Sequence, residues 1–425
     1  MLEVLRHRAF RNLWLGQAIS QLGDALYYVV FMFMVKKLTG SAAMVGLVGA
    51  VETLPFLLFS AYGGVVADRM DRKKIMLLSD IASGSILVAF SVLAAIYGMS
   101  MPVIFVFLAA FFTSVVRAFF LPAKNAAIPA LVGKEDIIRA NALSYATQSW
   151  MPMIGLAISA TVIAALFAIS PRWFFATAIV LNSVSFFGSA YYIAKLPTIL
   201  PDRENAHESH PWRDFVDGIR YIGDRGTLKA LLWLGLFMSL MISPFFVAYV
   251  EANDLWYGGK PGTLAMFELT FFVGLVIGGL LVGKANVKKP GINYVWALAA
   301  VGLFVALMAY SRSLLWFGIW NFMAGLVIPF ADIPMSSYIQ VTVSDEFRGR
   351  VNSAFTMVRM GVTPIGLGLG GMIVNGIGLF WTFMVMGLGM LTVALCGLLH
   401  KGFRESTMPS MEIEPEPLVL EKQSA

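Results

Sequence analysis

The sequence predicts an all-α polytopic membrane protein of twelve transmembrane helices in two six-helix halves, and three observations carry that reading. Hydrophobic residues are 58% of the 425 and charged ones only 13%, with a mean hydropathy of +0.77. A soluble chain of this length exposes far more charge. The apolar residues gather into twelve runs of about the length that crosses a bilayer as helix. Finally, one polar signature occurs twice: Glu135, Arg139 and Asn141 return as Glu346, Arg350 and Asn352, each 211 positions later. Two like halves in a membrane are the plan of a protein that moves something across it.

The runs lie at 13–37, 43–67, 75–97, 102–122, 141–169 and 173–195, then 228–250, 263–284, 291–311, 314–338, 352–375 and 379–400. The first continues into a full crossing and is not read as a removable leader. Residues 1–196 are the N-terminal half, 228–400 the C-terminal half, and the polar residues 197–227 a cytoplasmic connection between them. Residues 401–425 are read as a disordered acidic tail, since Glu412, Glu414, Glu416, Glu421 and their neighbouring prolines cannot build a core.

Placing the N-terminus in the cytoplasm puts 24 of the 31 Lys and Arg on that side and five outside: Lys36, Lys37, Arg172, Lys260 and Arg312. Such a bias sets orientation, so both termini are expected in the cytoplasm of a bacterial-type plasma (inner) membrane. The formal charge of +6 then reflects topology and lipid contact, and no nucleic-acid partner is expected. The single Cys396 excludes an intrachain disulfide framework. His7, His207, His210 and His400 all fall outside the spans, so no histidine metal site, and no cofactor, is expected. With no Gly-rich Lys-Ser/Thr phosphate loop for ATP and no nucleophile–base constellation, an enzyme is not predicted. The expected functional unit is a monomer.

Between spans two and three stands Gly63-Gly64-Val65-Val66-Ala67-Asp68-Arg69-Met70-Asp71-Arg72-Lys73-Lys74. Glycines let helices approach closely, Asp68 is placed to accept hydrogen bonds from a neighbouring helix N-terminus, taken to be that of span eleven, and Arg69, Arg72 and Lys73 hold the loop at an anionic surface. Here the chain resembles the major facilitator superfamily through Gly64, Asp68, Arg69, Arg72 and Lys73; Asp71 stands where that loop pattern has glycine. The run from Phe10 to Asp24, the run from Phe120 to Val132 and the run from Phe347 to Phe355 resemble the macrolide-efflux branch, with siderophore exporters and lysophospholipid translocators as near relatives. The resemblance spans residues 6–400. It implies secondary export of an amphipathic small molecule or lipid, driven by a proton gradient, with the loop as a gate.

Charges inside the spans are the candidates for cargo or proton handling. Asp24 lies about 16 Å into its span at 1.5 Å per residue, and Glu52 at a similar depth. An ionised carboxylate there costs at least a few kcal/mol unless it faces a cavity or takes a proton. Arg117 in span four needs an acidic partner, read as Asp24 or Glu52, and the resemblance adds a part in proton coupling. Glu268 is the corresponding acid of the second half. Asp80 and Asp332, nearer the cytoplasmic ends, are assigned to gating with Arg350 and Arg359, Asp80 as a partner of the 69–74 loop. Gly155, Gly366 and Gly370 mark close helix packing at the moving interface. Tyr27, Tyr28, Phe31, Phe245, Phe246, Met238 and Met241 belong to an aromatic–methionine set suited to apolar cargo.

Overall fold

The computed structural model describes residues 2–170, 173–200, 211–285 and 287–407. Among these the chain is all helix. The helices are α1 Arg8–Thr39, α2 Ala42–Ala67, α3 Arg72–Tyr97, α4 Val103–Leu131, α5 Ile137–Ile169, α6 Phe174–Ala194, α7 Pro211–Gly223, α8 Gly226–Ile242, α9 Phe245–Trp256, α10 Pro261–Val282, α11 Pro290–Met308, α12 Leu314–Thr342, α13 Asp345–Cys396 and α14 Lys401–Glu405. Among the described residues ten stretches are long and apolar enough to cross a membrane, one of them the 53 residues Phe347–Leu399.

Helices α1, α3, α4 and α6 pack on one another, as do α2 with α4 and α1 with α5; α10, α11, α12 and α13 form a second set joined by α8 and α9. The two sets meet mainly along α2–α13 and α5–α10. Exposed apolar side chains such as Leu58, Ile96, Leu280 and Trp316 cover the outside, as expected where the solvent is lipid.

Several boundaries differ from the sequence reading, each for a local reason. Span four does not stop at Pro122: α4 continues through Pro122 and Pro129 to Leu131. Span seven is broken, because Pro244 offers no amide to the helix, and the chain restarts as α9. The connection between the halves is helical at α7, whose Tyr221 stacks on Phe347 at 4.6 Å and whose Ile222 is buried. Residue 401 does not begin a disordered tail. His400 caps α14, Phe403 is fully buried beside Tyr294, and the Ser406 hydroxyl accepts from the Gly291 amide at 2.9 Å. An aromatic side chain with a pocket to enter keeps this stretch folded; the acidic residues from Glu412 on lie outside the described residues.

One end of the molecule is sealed. Lys36 at the end of α1 meets Glu251 of α9 at 2.6 Å, Lys37 meets Asp254 at 2.6 Å, and Asn375 of α13 donates to Ser41 at 3.2 Å. Lys36 is only 5% exposed. At the opposite end, around Tyr145, Asn352 and Arg359, the two sets part around an open cavity.

Candidate functional site

Helices α1 to α6 wall a cavity inside the first set, and Asp24, Glu52, Asp80 and Arg117 all line it. Four of the charges singled out in the sequence thus come together.

Asp24 is positioned by small neighbours. A side chain at Gly23 would collide with Ser185 and Asn182, so glycine there lets α6 lie against α1. The Ser185 hydroxyl donates to Asn182 Oδ1 at 3.0 Å, which turns the amide Nδ2 to donate to Asp24 Oδ1 at 3.3 Å. Glu52 precedes Pro55, whose ring interrupts the α2 ladder. The sequence suggests that Glu52 helps satisfy that kink. Instead the Phe56 amide donates to Ser114 Oγ of α4 at 3.1 Å, leaving Glu52 to the cavity.

Arg117 is expected in an ion pair with Asp24 or Glu52. Among the described residues it makes none: its side chain is exposed to the cavity, held near both acids but bonded to neither. Asp80 does not pair with the 69–74 loop. It is 2% exposed and faces the cavity beside Ser189, because α3 begins at Arg72 and α6 covers it. The position was read as shallow from the apolar run alone.

The second half's candidates are separate. Glu268 on α10 is half-buried, within electrostatic reach of Tyr28 and Tyr249, and outside the first-half cavity. Tyr249 donates to Asn321, which in turn donates to the Phe267 carbonyl at 2.6 Å. Asp332 and Arg359 share the open cavity with Asn352, so Arg359 does not join the Asp68 loop.

That loop is held differently from the expectation. Asp68 is 53% exposed and does not reach the span-eleven helix; the Arg72 guanidinium lies 4.0 Å away. Arg72 donates to the carbonyls of Ala67 and Ala126 at 3.2 and 2.9 Å. Arg69 is exposed, and the Lys73 amide donates to Asp71 Oδ1 at 3.0 Å. The same Asp71 oxygen accepts from the Ile199 amide at 3.0 Å. The residue standing in place of glycine therefore caps α3 and ties the chain after α6 to the loop. Gly64 has open space around it, whereas Gly63 is the close contact, set against the Ala118 carbonyl of α4. Gly155 meets Ala25 and Leu22 of α1, and Gly366 and Gly370 meet Ser243 and Pro244 at the α8–α9 corner. The Arg350 carbonyl faces Gly218 of α7, and its guanidinium lies 5.3 Å from the Phe347 ring centre.

Sequence reasoning missed Lys124, which is 1% exposed on α4 and lines the same cavity, and Gln17, Gln21 and Asn182 around it. It also missed the cluster at the head of α5. There Asp136 receives Arg6 and His7 at 2.9 Å each and Arg139 at 3.2 Å. These contacts hold the Asp136 carboxyl down at about 2, the His7 hydrogen bond first and Arg6 next.

Apolar helical spans with a charged cavity inside the first set, and a cleft between the sets closed at one end and open at the other, are the build of a multi-pass membrane transporter and not of an enzyme. The Major Facilitator Superfamily profile matches residues 13–366, and the chain belongs to that family. It is 27% identical over 401 residues to Macrolide efflux protein A of Streptococcus pyogenes, across 92% of this chain and 96% of that protein. It is 24% identical over 404 residues to the enterobactin exporter EntS of Escherichia coli O1:K1 / APEC, across 92% of each. A solved structure of a mutant of the nucleoside transporter NupG superposes with a TM-score of 0.68 at 13% identity, over 92% of this chain and 99% of that one, a likeness of fold.

Proposed function

We propose that the protein is a secondary active exporter of amphipathic or hydrophobic small molecules that works by alternating access and takes its energy from proton entry. The observation that carries this is the cavity inside the first half, which Asp24, Glu52 and Arg117 line without an ion pair among them. Charges left unpaired at mid-membrane depth are costly. They are retained where a proton or a cargo cation is exchanged: a carboxylate that takes a proton releases a cation, and the reverse.

In this reading the crossings number twelve. Phe347–Leu399 divides at Gly378 into two, and α5 adds one to the ten stretches. They form halves at 1–196 and 228–400 that rock against each other, with the charged cavity inside the first half. The basic-residue bias favours the open end facing the cytoplasm of the inner membrane, with both termini there and the Lys36–Glu251 end outside. The protein then acts as a monomer, without cofactor or nucleic acid. Macrolides and enterobactin are the first cargoes to try, since the relatives' names refer to them.

The test is uptake by purified protein in sealed liposomes under an imposed proton gradient, with Asp24→Asn as control. Gradient-driven movement that the variant loses supports the exporter. Movement of the same cargo at the same rate with the gradient collapsed removes the proton from the mechanism.

A further inference from the structure

The mechanism above leaves Lys124 unused, yet its setting is unusual. The side chain is 1% exposed and ends at the wall of the cavity inside the first half. Among the described residues it has neither a carboxylate partner nor a hydrogen-bond acceptor. Arg117, seven residues earlier on the same face of α4, lines the same cavity and is equally without an ion pair. Across from them Asp24 on α1 and Asp80 on α3 present carboxylates, and Asp80 Oδ2 is buried without a donor. With Glu52 on α2 the cavity has a cationic wall on α4 and an anionic one on α1, α2 and α3, and the two do not pair with each other.

A buried ammonium without a counter-charge is strongly unfavourable, and so is a buried carboxylate. Had α4 needed only to pack, a leucine or methionine at 124 would serve. An occupant bearing both signs relieves both walls together. Seven residues are about 10 Å of helix rise, a distance that two long basic side chains close from either side of one oxyanion.

We propose, on the basis of the transport reading above, that this cavity binds the polar end of a zwitterionic amphipath. Its phosphate or carboxylate lies between Lys124 and Arg117, and its ammonium lies against Asp24 and Asp80. Leu87, Leu121 and Phe186 line the cavity beside these groups and take the apolar body. The bearer is either a lipid headgroup or a soluble zwitterion of the same chemistry.

The test is a head-group series at constant tail: hexylphosphocholine, hexyltrimethylammonium and hexyl phosphate, each displacing a fluorescent lysophosphatidylcholine from the full chain in nanodiscs. The zwitterion is expected to bind about tenfold more tightly than either single-charge compound, the factor that one charge-assisted contact carries. Lys124→Met abolishes its advantage over hexyltrimethylammonium, Asp80→Asn its advantage over hexyl phosphate, and Lys124→Arg keeps the ranking, which separates loss of the site from loss of folding. If hexyltrimethylammonium matches the zwitterion, or if Lys124→Met leaves the ranking unchanged, the proposal is wrong. Counterflow of lysophosphatidylethanolamine against that of a soluble zwitterionic drug then identifies the bearer. The ranking is read without a gradient. A protein that ranks the head groups yet carries nothing therefore loses the transport reading and keeps the site, and one that carries cations with a flat ranking loses only the site.

Discussion

Lys36 and Glu251, 215 positions apart in the chain, meet at 2.6 Å with their side chains 5% and 11% exposed. This pair joins α1 to α9, and the more exposed Lys37–Asp254 contact repeats it one residue on. Buried pairs of this kind add little net stability when intact, and removing one partner costs up to about 3–5 kcal/mol, less here because Lys36 keeps the Gly40 carbonyl at 3.0 Å and Asp254 at 3.9 Å. Glu251→Gln therefore opens the sealed end. The measurement is disulfide trapping between Ser41→Cys and Asn375→Cys in a Cys396→Ser background: yield falls with Glu251→Gln and returns in the charge swap of Lys36→Glu with Glu251→Lys. Unchanged yield in the single variant means the pair does not hold that end closed.

Asp71→Gly restores the residue that the loop pattern ordinarily carries, and it is expected to harm this chain. The variant loses the cap on Lys73 and leaves the buried Ile199 amide without an acceptor, a loss of about 1–2 kcal/mol. Hydrogen exchange at Ile199 reads it directly. Protection equal to that of the parent protein would show that the tie is dispensable.

Gly23→Ala pushes α6 away from α1, because the added methyl meets Ser185 and Asn182. Overpacking of this kind costs about 1–3 kcal/mol and also pulls Asn182 off Asp24. Thermal unfolding in detergent should show a lower midpoint, partly recovered by Ser185→Gly. A midpoint that does not move would mean the helices separate here without penalty.

The Asp136 cluster gives a pH dependence with a definite sign. A carboxyl at about 2 in the folded chain, against about 3.9 for an unperturbed aspartate, stays ionised where the unfolded chain has begun to take up a proton. Its stabilisation is complete above the unfolded value and disappears as the pH falls from about 4 towards 2. The stability gap between the parent and Asp136→Asn should be constant from pH 7 to about 5 and narrow at pH 3. A gap that widens on acidification contradicts the assignment.

Much of this was legible in the sequence because membrane helices announce themselves by hydropathy, and a carboxylate at mid-span has few places to go. Asp24, Glu52 and Arg117 came together on depth alone. Lys124 escaped because Pro122 reads as a stop, and a lysine past a stop reads as loop. The proline only costs the helix a hydrogen bond, and α4 carries Lys124 into the cavity wall. Asp80 was set too shallow for a related reason: the basic turn Arg72-Lys73-Lys74 is polar yet helical. Asp71 shows in the sequence only as a departure from the loop's glycine, because its second partner, Ile199, is 128 residues away. Lys36 counted as one more external charge, and nothing in its neighbourhood along the chain points to Glu251. Contacts made across the fold leave no local trace, and the parts of the site built from them had to be seen.

Gly378 is the one residue within Asp345–Cys396 that leaves helical dihedrals, at φ 78° and ψ 164°, a region essentially reserved for glycine. The two arms on either side of it pack on the same corner, Gly366 against Ser243 and Phe383 against Phe245. The chain therefore doubles back with no slack to spend. The arm that bears Arg359 and the arm ending at Cys396 are thus joined through a single pair of torsions, and a side chain at 378 would have to change the angle between them.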